Sequence, residues 1–78
     1  SNVSKDVATN MVRFANLVRN AYDSGNLGLT MSPRTLINWG RKQQRYDIKY
    51  ALQVSFLEKL TPDDNKSVQE LYNKVFGV

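Results

Sequence analysis

TMSPRTLINWGRKQQR, Thr30 to Arg45, opens on a serine and a proline and then sets apolar and basic residues at helical spacing. Ser32 suits the N-cap, because its hydroxyl can accept from an amide two or three residues on. Pro33 suits the first helical position, where its missing N–H would have no partner anyway. The spacing predicts a helix over 33–45. Leu36, Ile37, Trp39 and Gly40 form its apolar stripe, while Arg34, Asn38, Arg41 and Arg45 recur at offsets of four, seven and eleven on the opposite face. A helix with one core side and one basic side needs neighbours of the same kind, and the flanking sequence supplies them.

Upstream, Val7, Met11, Phe14, Ala15, Val18, Ala21 and Tyr22 recur at intervals of three and four, which predicts a helix over 4–22. It ends at Asp23-Ser24-Gly25-Asn26, where glycine accepts positive φ and the polar residues bond their own backbone. Downstream, Asp47 is placed to cap a helix over 48–60, whose apolar residues spread around most of the circumference and mark it as the central one. Thr61-Pro62-Asp63-Asp64 repeats the cap-then-proline signal with acids in the first turn, and Val68, Leu71, Tyr72, Val75 and Phe76 stripe a helix over 62–76 that Gly77 ends. No alternating strand pattern, repeat or low-complexity tract interrupts this. The expected architecture is all-α, a compact four-helix bundle with short connections apart from the loop from Asp23 to Met31.

Composition narrows the function classes. At 78 residues the chain is one small domain at most, and 41% hydrophobic residues with 23% charged ones fit a folded globule. Ser1-Asn2 reads as the remnant of a cleaved tag, which leaves 3–78 as a single helical domain, a piece of a larger chain. There is no cysteine and no histidine, so the commonest metal ligands and the commonest general base are missing, and neither a metal site nor a self-contained hydrolase is expected. No apolar run approaches the roughly 18 residues that cross a bilayer, so the expected setting is cytoplasmic with no membrane partner. The net charge of +4 is compatible with an anionic partner without demanding one.

Arg34 is the residue out of place. A cation in the first turn faces the positive end of the helix dipole, at a cost of about 0.3–1 kcal/mol when exposed. The last helix makes the opposite choice, with Asp63 directly behind Thr61-Pro62. Two readings follow: either Arg34 is solvated or paired with an acid such as Asp23, or an anion docks at this helix start and reverses the sign.

LTMSPRTLINWG, followed by YALQVSFLEKLTPDDNKSVQELYNKVFG, resembles the C-terminal helical lid of AAA+ ATPases of the MoxR type, most closely their CobS-like branch in aerobic cobaltochelatases. The likeness runs from about Phe14 to Gly77 and includes an aromatic-bearing third helix, with Phe56, and a last helix ending in Phe76-Gly77. It implies that Arg34 is the sensor 2 arginine, aimed by the Ser32-Pro33 helix start at the γ-phosphate of ATP. That nucleotide, with Mg2+, would be held by a preceding P-loop domain of the same parent chain. It also implies a homo-oligomeric ring, with Asn38, Arg41 and Arg45 on an intersubunit or anion-facing surface, and cobaltochelatase-like partner subunits. The chain itself has no G-x-x-x-x-G-K-[ST] loop, so no catalytic residue is expected in it, nor a bound cofactor in isolation.

Two other classes stay open on residues alone. A helix-turn-helix DNA binder would use 33–45 as recognition helix, with Thr35 and Asn38 reading bases, but the preceding connection is long for that motif and the basic residues do not broaden into a patch. Nucleic acid is therefore not the expected partner. A helical interaction module would meet an acidic partner through the same basic face. Trp39 reads as core, and Gly40 implies close approach of a neighbouring helix. Asp63 and Asp64 read as capping and dipole partners; Tyr46, Tyr50 and Tyr72 show no partner arrangement.

Overall fold

The computed structural model describes residues 5–77. Four helices follow one another, α1 (Lys5–Asp23), α2 (Pro33–Lys42), α3 (Ile48–Ser55) and α4 (Pro62–Phe76), with a 3-10 turn at Leu57–Lys59 and, among the described residues, no strand. The tag reading of Ser1-Asn2 lies outside the described residues.

α1 and α4 form the main pair. α1 buries Met11, Phe14, Ala15 and Val18, and α4 buries Val68, Tyr72 and Val75, each set at the three- and four-residue spacing of one face. α2 crosses α1 and brings Trp39, 0% exposed, into the same core. Its ring meets Phe14 edge-on at 5.4 Å and Phe76 at 6.3 Å, Phe14 meets Tyr72 at 5.9 Å, and Tyr72 stacks on Phe76 at 4.5 Å. Three helices are thus joined through four aromatic rings in the offset and edge geometries such rings prefer. Burial, with the negative charge of Asp47 adding to it, pushes the Tyr72 phenol above its ordinary pKa. The Trp39 indole N–H donates to the Ile48 carbonyl at 3.0 Å, which ties α2 to the start of α3.

The caps are where the residues placed them. Ser32 and Thr61 hydroxyls accept from the amides of Thr35 and Asp64, and one Asp47 carboxylate oxygen takes the amides of Lys49 and Tyr50. α1 ends in a Schellman motif: Asn26 N–H reaches Ala21 O at 2.9 Å and Gly25 N–H reaches Tyr22 O at 3.0 Å, with Gly25 at φ 82°. Gly77, at φ 74°, closes α4.

Two helices end sooner than their spacing predicts. α2 stops at Lys42, not at residue 45: Gln43 caps it, the amides of Gln44 and Arg45 bond back three residues to Arg41 and Lys42, and the chain turns to set up the Asp47 cap. α3 stops at Ser55, not at residue 60. Phe56 leaves helical geometry at φ −141°, which lets two consecutive residues, Phe56 and Leu57, both enter the core. The Leu57 carbonyl then accepts from Asn65 Nδ2 at 3.1 Å. Nor is α3 central; it packs on α2 and on the 3-10 turn, at one side of the bundle. Its apparent all-round apolarity came from Val54, only partly buried, and from the broken segment after it.

Gly40 is also corrected. A Cβ built there meets nothing within 4 Å, so no neighbouring helix approaches and the glycine serves no packing need. Gly40→Ala is expected to raise stability by about 0.5–1 kcal/mol, the usual return for removing a helix-interior glycine, as read from urea midpoints. A loss of stability would show that the site is tighter than the backbone indicates. Ile37, placed on the core stripe by spacing, is 55% exposed, because it lies on the α2 face between Arg34 and Arg41.

Candidate functional site

The start of α2 is held from both sides. Leu27 and Met31 are buried anchors in the loop 24–32, and between them the Gly28 amide donates to Asp64 Oδ2 at 3.0 Å, across thirty-six positions of sequence. Asp64 thus fills two roles: it is an acid in the first turn of α4, as its position implies, and it is also the peg that fixes the loop leading into α2. Nothing in the residue pattern marked that second role, nor the burial of Leu27 and Met31, since apolar residues in a polar connection have no periodicity to read. Asp64→Ala should cost about 1 kcal/mol, the net worth of one exposed hydrogen bond with its small dipole contribution, and should abolish hydrogen-exchange protection at the Gly28 amide. Asp64→Asn, which keeps an acceptor, should restore most of that protection. Unchanged exchange in the alanine variant would mean the loop is held by its apolar anchors alone.

From that fixed loop the chain enters α2 through Ser32, whose hydroxyl accepts from Thr35 N at 3.2 Å and lies 3.0 Å from the Thr35 hydroxyl, while its carbonyl takes the Leu36 amide. Pro33 has no N–H. The amide left without a partner among the described residues is that of Arg34, so one residue offers both a main-chain donor and a guanidinium at the positive end of the helix. Arg34 is exposed, and no ion pair joins it to Asp23 or to any other described acid. There is no acid in the first turn of α2 to oppose it.

Asn38 and Arg41 stand one and two turns along the same face, both exposed, with Ile37 beside them. Arg45 does not join them: α2 has already ended, and Arg45 sits in the turn before Asp47. The arrangement gathers Arg34, Asn38 and Arg41 into a short cationic strip suited to binding an anion or an acidic surface. No group of three or more acids that could hold a metal ion occurs among the described residues, and no described helix is long and apolar enough to cross a membrane. Residues 24–32 separate α1 from α2, which is far from the three- to four-residue turn that sets a recognition helix into a DNA groove.

Residues 1–76 match the protein family described as CbbQ/NirQ/NorQ C-terminal. The chain is also similar to an aerobic cobaltochelatase subunit CobS from Sinorhizobium sp, at 37% identity over 75 residues, which is 95% of this chain and 23% of that protein. It therefore spans less than a quarter of the length of the relative it matches. No solved structure matches it.

Proposed function

The chain belongs to the CbbQ/NirQ/NorQ C-terminal family, a C-terminal domain of MoxR-type AAA+ ATPases, and on that premise we propose that it is the lid that closes over bound ATP. The sensing group is Arg34, reaching the γ-phosphate of a nucleotide held by a preceding P-loop domain of the same parent chain. What carries this reading is the state of Arg34 in the fold: exposed, unpaired among the described residues, and seated with its own free amide at a helix start that has no acid. A terminal phosphate docked at this helix start would supply the negative charge that the position favours and reverse the unfavourable placement of the arginine.

The fit extends to the phosphate and no further. When bound, ATP would supply the γ-phosphoryl group to be cleaved, and Mg2+ would offset its negative charge. Arg34 donates to the terminal oxygens, Ser32 and Pro33 fix the helix start that aims it, and Asp64 holds the loop behind them. The phosphate loop, the acids that hold Mg2+ and the group that positions water belong to the preceding domain, since no G-x-x-x-x-G-K-[ST] run exists in these 78 residues. Asn38 and Arg41 face the neighbouring subunit of a homo-oligomeric ring, and Arg45, in the turn after α2, lies beyond the end of that strip. Cobaltochelatase-like partner subunits extend the reading by likeness to the CobS relative alone. The test is ATP turnover by the parent carrying Arg34→Ala: a strong loss is expected, and undiminished turnover would overturn the assignment.

A further inference from the structure

Apart from Arg41, the corner between α2 and α3 takes no part in the site described above. Residues 41–50, RKQQRYDIKY, carry Arg41, Lys42, Arg45 and Lys49 against the single acid Asp47, a net of three positive charges on a chain whose total is +4. All of these side chains are exposed. The carboxylate of Asp47 is engaged with the amides of Lys49 and Tyr50, and none of Arg41, Lys42 and Arg45 forms an ion pair among the described residues. Lys49 lies with its ammonium 5.8 Å from the centre of the Tyr72 ring, which holds it beside the bundle.

On the same corner stand Tyr46, in the turn before Asp47, and Tyr50, in α3, 54% and 51% exposed, with ring centres 5.7 Å apart and planes inclined at 59°. Neither belongs to the core, which closes without them. Two half-exposed tyrosines in mutual contact are ordered before any partner arrives, so little side-chain freedom is lost when one does. Cations with charge-assisted donors around a fixed aromatic pair are complementary to carboxylates around an apolar side chain.

We propose that this corner docks an acidic segment of a protein partner, a short stretch in which carboxylates flank an aromatic or large aliphatic residue. The apolar side chain lies against Tyr46 and Tyr50, and the carboxylates meet Lys42, Arg45 and Lys49. A polypeptide fits better than a nucleic acid. Rings inclined at 59° do not make the open platform on which successive bases stack. The inference is independent of the nucleotide reading, since none of its residues lies in the first turn of α2.

The experiment is a fluorescence-anisotropy titration of this chain with a labelled peptide Glu-Asp-Phe-Glu-Glu-Leu, run beside a labelled twelve-residue oligothymidylate. Near-UV circular dichroism of the buried Trp39 serves as the check on folding. Saturable binding of the peptide is expected, weakening with salt. It should fall about tenfold in Arg45→Glu and again in Tyr46→Ala/Tyr50→Ala, as central contacts of a small interface do. Absent binding, or binding that ignores both variants while the Trp39 signal is native, would overturn the proposal. So would tighter binding of the oligothymidylate at equal ionic strength, which would make the corner a nucleic-acid surface. Loss of peptide binding in the parent chain would also overturn it, by showing that the parent's own ATPase domain covers the corner.

Discussion

Trp39→Ala is expected to cost the domain a large share of its stability at 25 °C. The side chain is fully buried where α1, α2 and α4 meet, in edge contact with Phe14 and Phe76, and its N–H is the link from α2 to the Ile48 carbonyl. Truncating a buried Trp to Ala costs about 3–5 kcal/mol through lost burial and the cavity left behind. Small domains hold only about 0.05–0.15 kcal/mol per residue in reserve, so a loss of that size takes much of what a chain of this length has. Trp39→Phe separates the two contributions. It keeps a ring against Phe14 and Phe76 and removes the donor, so its cost should be smaller, with about 1 kcal/mol of it from the hydrogen bond. Because Trp39 is the sole tryptophan, both variants are followed by far-UV circular dichroism in urea. An alanine variant within 1 kcal/mol of the parent domain would show that the aromatic cluster is not what holds α2 in place.

That Trp39 is buried could be read from Thr30–Arg45 alone, because its place opposite Arg34, Asn38 and Arg41 is a matter of helical geometry. The same holds for Ser32-Pro33, Thr61-Pro62, Asp47 and Gly25, each of which acts through its own few neighbours. What could not be read depends on contacts far apart in sequence. No glycine or proline marks the end of α2 at Lys42 or of α3 at Ser55; the first is set by the need to reach the Asp47 cap, the second by the core's demand for both Phe56 and Leu57. The inward and outward assignments fail for the same reason. Ile37 and Gly40 look like packing residues on a wheel, yet the neighbouring helix lies over Trp39, and both are left without close neighbours on their outer side.

The candidate site shows the same division. Its helix start and the anomalous Arg34 are local and visible, whereas the departure of Arg45 from the strip follows from where α2 ends. The peg between Asp64 and Gly28 joins residues whose types suggest only a cap and a turn. Tyr46 and Tyr50, four apart, could have been paired on helical spacing, but the turn between α2 and α3 hid that they would face solvent together.

Arg34→Ala should separate folding from function. In the isolated domain the side chain has no partner among the described residues and sits at the wrong end of a dipole, so its removal should leave the urea midpoint unchanged or slightly higher. Arg34→Glu should raise stability by about 0.3–1 kcal/mol, since an acid suits that position. The parent ATPase should respond in the opposite direction. If Arg34 contacts the γ-phosphate most strongly as charge redistributes in transfer, its loss should lower kcat by about 10²-fold, the scale found when one donor to a developing charge is removed, with a smaller effect on KM. Arg34→Lys keeps the charge without the planar two-point fork and should recover only part of the rate. A rise in KM at unchanged kcat would reassign the residue to ground-state nucleotide binding, and undiminished turnover would remove it from the nucleotide site. A marked loss of stability in the isolated domain would return Arg34 to a structural role, so the two measurements together decide whether this helix start is strained for the sake of a ligand.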